Sequence, residues 1–376
     1  MTDPLFTPTE AGALALASRI VMAPLTRRRS PHGTPGALTA SYYAQRANPE
    51  TGAALIISEA ATINAQAQGY ANTPGMYERA QIEAWKTVTA AVHQRGGRIV
   101  CQLWHVGRVS HTLLQPAQAA PVAPSAIQAQ TRIHLIDKRG AGRYAPASMP
   151  RALRLEEIGH IVRDFAAASR NAVESAGFDG VEIHAANGYL IEQFLKSSAN
   201  TRHDDYGGSI ANRARFLLEV ARATCDAVGG ARVGIRLSPV TPSGGIDEPD
   251  PQPLYEYVLR ALAPLDLAYV HIVEGATGGP RERPERPFNY AALKTAYHAA
   301  GGHAAWMLNN GYDPDLARDA IRTGRADLVS FGRAFISMPD LAARIRQGGP
   351  YQGVDQSTIY GGGAKGYTDY PTLLDA

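Results

Sequence analysis

The sequence predicts an α/β fold: a (β/α)8 barrel of the TIM type, with a cap inserted after the third strand. Three observations predict it. Eight short apolar runs recur along the chain, amphipathic helical patterns separate them, and one long polar interruption follows the third run. Near-continuous apolar strands with helices between them indicate a parallel sheet covered on its outer side, and eight such units close a barrel. At 376 residues the chain is long for one ordinary domain but normal for a barrel with insertions, so 1–376 is read as a single domain.

The first stretch, MTDPLFTPTEAGALALASRI, lacks the basic start and continuous apolar core of a secretory signal. Its small apolar residues are expected to form a hairpin under the first barrel strand. The eight strands are read at 19–25 (RIVMAPL), 53–59 (AALIISE), 98–105 (RIVCQLWH), 180–185, 233–239 (VGIRLSP), 267–273 (LAYVHIV), 305–310 (AWMLNN) and 328–333 (LVSFGR). Ile158, Ile161, Val162, Phe165, Ala168 and Ala172 share one helical face, as do Ile210, Ala214, Leu217, Val220 and Ala221 in the next helix. Residues 106–153, rich in Pro, Ala and Gln, form the cap, with a small hairpin turning at Arg139–Gly142. Residues 275–287 (GATGGPRERPERP) are expected to be a mobile loop. Both interruptions follow strands, which places them on the face where barrel active sites are built. Arg27, Arg28 and Arg29, the densest basic run, read as a solvated turn.

A hydrophobic content of 45% and a charged content of 19% describe a soluble globular chain. A net charge of +3 is too small for a dedicated nucleic-acid surface. No stretch approaches a transmembrane length without charge. Cys101 and Cys225 are too few for a disulfide framework or an iron–sulfur ligand set, and reduced thiols point to the cytoplasm. The eleven histidines show no metal-ligand spacing. The expected partner is therefore a small molecule rather than nucleic acid, membrane or metal, for a monomer or homodimer.

Polar residues gather where the strands end. The first ends Pro24-Leu25-Thr26, the second Ser58-Glu59-Ala60; the third carries Gln102 and Trp104 on one face. The fourth delivers His184, Asn187 and Tyr189, and the fifth carries Arg236. The seventh ends Asn309-Asn310-Gly311 and the eighth Gly332-Arg333. His184 and Asn187 can donate to one oxygen, and the Tyr189 hydroxyl can protonate the neighbouring carbon. That is chemistry on a carbonyl-like acceptor, with no metal or covalent nucleophile required; the bland alternative is a core histidine and a packing tyrosine. Loops after strands seven and eight of such barrels commonly hold a phosphate, here on Asn310, Gly311, Gly332 and Arg333. Gln102 suits an amide edge. Arg236 needs an anionic partner, either Glu182 or negative charge on a reduced ring. Phosphate, amide edge and buried cation together point to flavin mononucleotide. Gly361, Gly363 and Gly366 satisfy GxGxxG, but no strand–helix unit follows, so the match is rejected as a dinucleotide site.

These residues resemble the Old Yellow Enzyme family of flavin-dependent ene-reductases. The resemblance runs through RIVMAPLTRRR (19–29), LIISEAATI (55–63), CQLWHVGRVSH (101–111), FDGVEIHAANGYLIEQFLKSSANTRHDDYGGSIANRARF (178–216), VGIRLSP (233–239), NNGYDPDLA (309–317), ADLVSFGRAFISMPDL (326–341) and YGGGAKGYTDYP (360–371). The resemblance is particularly close to bacterial N-ethylmaleimide and nitrate-ester reductases, and Thr26, where one branch has cysteine, places the chain in the classical branch.

The resemblance implies a tightly bound, non-covalent FMN across the barrel mouth. Pro24, Leu25, Thr26 and Ala60 would lie near flavin N5 and O4, Gln102 and Arg236 at the pyrimidine edge, and Gly311 and Arg333 with their neighbours at the phosphate. His184 and Asn187 would bind the activating oxygen of an α,β-unsaturated carbonyl or nitro compound. Tyr189 would protonate the α-carbon after hydride reaches the β-carbon, and Tyr70, Trp104 and Tyr367 would line the substrate space. NADPH, or less readily NADH, would reduce the flavin first in a ping-pong cycle. The oxygen-binding pair is His184/Asn187 rather than a double histidine, both of which the family uses, and the 275–287 loop departs from the family pattern. Alternatives are nitrate-ester or nitroaromatic reduction at the same site, a dienoyl-thioester or amine dehydrogenase on the same barrel, and a non-redox barrel binding a phosphorylated ligand.

Overall fold

Side chains alternate across each strand, so every apolar run serves two cores at once. A computed structural model describes residues 3–137 and 140–375. The barrel strands are β1 (Ile20–Met22), β2 (Leu55–Ile57), β3 (Ile99–Trp104), β4 (Gly180–Ala185), β5 (Val233–Leu237), β6 (Tyr269–Val273), β7 (Ala305–Asn309) and β8 (Leu328–Phe331). Neighbours pair in parallel in chain order, and β8 pairs with β1, so the sheet closes. All eight expected strands are present. They stop short of several expected ends; β1 does so where Pro24 has no N–H to give the ladder.

Helices α1 (Ala37–Arg46), α2 (Arg79–His93), α3 (Leu155–Arg170), α4 (Ile210–Val228), α5 (Pro251–Leu262), α6 (Tyr290–Ala299) and α7 (Pro314–Arg322) occupy the connections, and α8 (Leu341–Gln347) follows β8. Ile158, Ile161, Phe165 and Ala168 of α3 are buried, as are Ala214, Leu217, Val220 and Ala221 of α4. Asp313 accepts from the Leu316 N–H and caps α7.

Outward residues such as Ile20, Ile56, Ile183 and Ile235 join the core under the helices. Inward residues change character along the barrel axis. At the bottom Val21, Leu55, Val100, Tyr269, Met307 and Leu328 pack with Ala11, Leu14 and Leu16 of the N-terminal hairpin, which plugs that end as expected. Gly234 leaves the room that the Tyr269 ring fills, since a Cβ there would lie 2.1 Å from it. At the top the same inward face reads Gln102, Glu182, His184, Arg236, His271, Asn309 and Ser330, all buried.

The cap is an insertion after β3, as expected. Residues Val122–Ala123 pair with Arg151–Ala152, and Arg132–Ile136 pairs antiparallel with Gly142–Pro146. The expected turn begins at Arg139, which lies outside the described residues. Ile133, Leu135 and Ala145 of the hairpin pack on Trp104 and Val106 and bind the cap to the barrel rim. No described helix is long and apolar enough to cross a membrane.

Arg27 and Arg29 correct one expectation: they are not a solvated turn. Arg27 is fully buried, donates to the carbonyls of Ile359 and Gly366, and lies over the rings of Tyr42 and Tyr367. Arg29 donates to the carbonyls of Thr358, Ile359, Gly363 and Lys365. The glycine-rich tail presents carbonyls that these long cationic side chains reach, which draws the arginines inward.

Candidate active site

His184, Arg236 and His271 stand in register on β4, β5 and β6, and one buried polar network surrounds them. Gln102 Nε2 donates to Glu182 Oε1 at 2.7 Å, and Glu182 Oε2 lies 2.8 Å from His271 Nδ1. Ser330 Oγ is 2.8 Å from His271 Nε2. Burial, then Arg236, hold His271 down to about 4, so its ring is neutral at pH 7. A neutral ring that donates from Nδ1 to the carboxylate accepts from Ser330 at Nε2.

Arg236 does not hydrogen-bond Glu182, the first of the two partners left open for it. Its Nη2 donates to Asn309 Oδ1 at 2.9 Å and its Nη1 touches His271, while the Glu182 carboxylate is taken by Gln102 and His271. Glu182 acts on Arg236 through space; burial still pulls the guanidinium below its usual range. Arg236 Nε is buried with no hydrogen-bond partner. Such an orphaned donor calls for an electronegative group from outside the chain.

Arg236 also lines a cleft of about 200 Å³, with Ala23, Pro24, Leu25, Asn309, Asn310, Gly311, Ser330, Gly332 and Arg333. Asn310 and Gly311 both have positive φ, 90° and 69°, which turns the chain after β7 and exposes its backbone there. Asn310 Nδ2 donates to the carbonyls of Glu274 and Ala276, so its side-chain donor is committed and its backbone N–H is the donor left for a phosphate. Arg333 is exposed at the cleft and donates to the Gly278 carbonyl at 3.3 Å. Thr26 is half-buried just past β1. Gln102, with its amide N–H on Glu182, presents Oε1 as an acceptor. Ala60 is buried beside Trp104. These groups fit FMN: a buried cation with a free N–H, an amide acceptor, and a glycine-lined end with an arginine.

The reacting end is aromatic. Trp104 lies parallel to both Tyr70 and His184, with centroids 5.7 and 6.1 Å apart, and Tyr189 stands edge-on to His184 at 5.0 Å. Trp104 is buried, so it forms the wall behind these groups. Burial, with Arg236 and His271, pushes His184 well below the usual histidine range, so it is neutral; its Nδ1 is buried without a partner. Burial, then Tyr70, pushes the Tyr189 hydroxyl well above the usual phenol range, so it keeps its proton at pH 7. The Tyr70 and Tyr189 hydroxyls are 3.2 Å apart.

Asn187 sits at φ 60°, a strained conformation for a residue other than glycine. Its backbone N–H donates to Ser238 Oγ at 2.8 Å, and Ser238 donates to Glu192, a fully buried carboxylate. Glu192 also takes the Gly188 N–H, the Tyr255 hydroxyl and Lys196.

Tyr367 is a second correction. It is fully buried, stacked 4.1 Å from Tyr42, and does not line the substrate space. Tyr360, by contrast, is 61% exposed, lies under Arg28, and is close enough to act electrostatically on Tyr70 and Tyr189. Both tyrosines lie in one glycine-rich segment, and spacing alone does not say which points inward. His271, Ser330 and Thr277 also escaped the sequence reading. Alternation would have found the first two, since each sits on the inward face of its strand.

The profile of the family described as NADH:flavin oxidoreductase / NADH oxidase matches residues 4–352. A putative 12-oxophytodienoate reductase of Oryza sativa subsp. japonica is 41% identical over 375 residues, covering 99% of this chain and 98% of that protein. Morphinone reductase, solved in complex with tetrahydroNAD, superposes with a TM-score of 0.91 at 44% identity, over 98% of this chain and 97% of the other. An Old Yellow Enzyme homologue from Zymomonas mobilis superposes with a TM-score of 0.91 at 40% identity, over 98% and 99%.

Proposed function

The chain belongs to the NADH:flavin oxidoreductase / NADH oxidase family, that of Old Yellow Enzyme, and from that premise we propose that it is an FMN-dependent ene-reductase. Its acceptors are α,β-unsaturated carbonyl or nitro compounds, and its reductant is a reduced nicotinamide, NADPH in preference to NADH. When bound, FMN would supply hydride transfer from the nicotinamide to the β-carbon of the acceptor.

The chain's own residues do the rest. His184 and Asn187 donate to the acceptor's oxygen, which polarises the alkene and carries the negative charge that develops there. The Tyr189 hydroxyl gives its proton to the α-carbon, and Tyr70 at 3.2 Å returns one. Arg236 offsets negative charge in the cleft. Pro24, Leu25, Thr26, Ala60 and Gln102 hold the ring end of the cofactor, and the backbone of Asn310, Gly311 and Gly332 with Arg333 holds its phosphate.

The observation that carries this reading is the His184–Tyr189 pair: one ring is held neutral and the other protonated, 5.0 Å apart at the strand ends beside a buried cation. Rapid-mixing kinetics on Tyr189→Phe test it. Losing a general acid costs on the order of 10²- to 10⁴-fold in alkene reduction, while flavin reduction by NADPH stays within about twofold. Equal losses in both half-reactions would remove Tyr189 from the acid's role. The complex of morphinone reductase with tetrahydroNAD supports a nicotinamide as the reductant.

A further inference from the structure

The oxygen-binding Asn187 carries an amide with a donor end and an acceptor end, and only the donor end stabilises negative charge on a substrate oxygen. The backbone beneath it is fixed by Ser238 and Glu192, so rotation of the amide is the freedom that remains. We propose that Thr277, on the loop after β6, is the positioning residue that sets this amide; the inference rests on the proposed function and deepens it.

Thr277 Oγ1 lies 2.6 Å from Asn187 Oδ1. A threonine hydroxyl can donate or accept, so the neighbours decide its direction. Thr241, 4% exposed, lies 2.9 Å from the Gly275 carbonyl, an acceptor without an alternative donor role, and its proton goes there. Thr241 Oγ1 accepts the Thr277 N–H at 3.2 Å. The Thr277 hydroxyl proton is therefore left for Asn187 Oδ1, a shorter contact than its 3.1 Å to Thr241 Oγ1. With Oδ1 engaged, the Nδ2 hydrogens are the end that meets a substrate oxygen.

The loop carries Thr277 at a fixed height. Asn310 ties the carbonyls of Glu274 and Ala276, and Arg283 donates to the Val240 carbonyl. Thr277 itself is exposed, so replacing it disturbs no core. Thr277 touches neither the reacting carbon nor its proton donor; it acts through Asn187.

The test titrates 4-hydroxybenzaldehyde, whose phenolate mimics an enolate oxygen, into the flavin-loaded protein and reads Kd from the visible spectrum. Thr277→Val keeps the shape and removes the hydroxyl. It is expected to weaken binding about five- to tenfold, the worth of one orienting hydrogen bond. Thr277→Ser is expected to restore it. In an Asn187→Ala background Thr277→Val is expected to change nothing further, because two residues acting on one bond do not add. A Kd unchanged by Thr277→Val, or the same fold-loss in both backgrounds, overturns the role of Thr277 while leaving the function standing. A flavin-loaded wild type whose phenol binding is indifferent to Asn187→Ala overturns the oxygen site and this role together.

Discussion

Glu59 is a buried carboxyl that the proposed chemistry does not use. Its Oε2 accepts the Arg27 N–H at 3.2 Å, and its Oε1 has no partner. Burial outweighs these donors and raises its pKa to about 7. The unfolded chain loses this proton near the ordinary value of 4.5, so between 4.5 and about 7 the folded state binds the extra proton. Stability therefore falls as pH rises through that window and levels off above it. Glu59→Gln should remove this slope. In urea unfolding, the stability of the variant relative to wild type should rise between pH 5 and pH 8, by at most on the order of 3 kcal/mol. An equal difference at both pH values would mean that Glu59 is already ionised at pH 5. The site residues on β4 were legible because a strand that delivers His184, Asn187 and Tyr189 within a few positions has no packing reason to do so. Thr277 was not legible: nothing in a Gly- and Arg-rich loop tells that its one hydroxyl folds back to Asn187.

The C-terminal tail is the element that sequence reading misplaced most. Arg27 and Arg29 grip its carbonyls, and this clamp carries Tyr360 to the barrel mouth while burying Tyr367. Arg27→Ala should destabilise the protein on the order of 2–4 kcal/mol, through lost hydrogen bonds and orphaned carbonyls. It should also open the tail to limited proteolysis before the barrel unfolds. A urea midpoint within error of wild type would show that the tail is held by other contacts. Strands, by contrast, were readable because their alternation is enforced by two cores, and the cap was readable because it broke that rhythm. The ring stack of Tyr42 and Tyr367 joins residues over 300 positions apart, and no local pattern reports such a pairing.

At the scale of the molecule, one closed sheet divides its inward face into two layers. The lower layer is apolar and sealed by the N-terminal hairpin; the upper is a polar network whose charges are fixed before any ligand arrives. Preorganised donors cost no reorganisation when charge develops, which is why such a barrel top suits hydride and proton chemistry on a polarised alkene. The cap and the loop after β6 then wall the mouth from two sides. The most direct measurement is an anaerobic visible spectrum of the purified protein before NADPH, after it, and after 2-cyclohexenone. The account predicts a flavin band that bleaches with NADPH and returns with the enone. A protein that shows no flavin band and takes up no added FMN would contradict it, as would a reduced flavin that the enone fails to reoxidise.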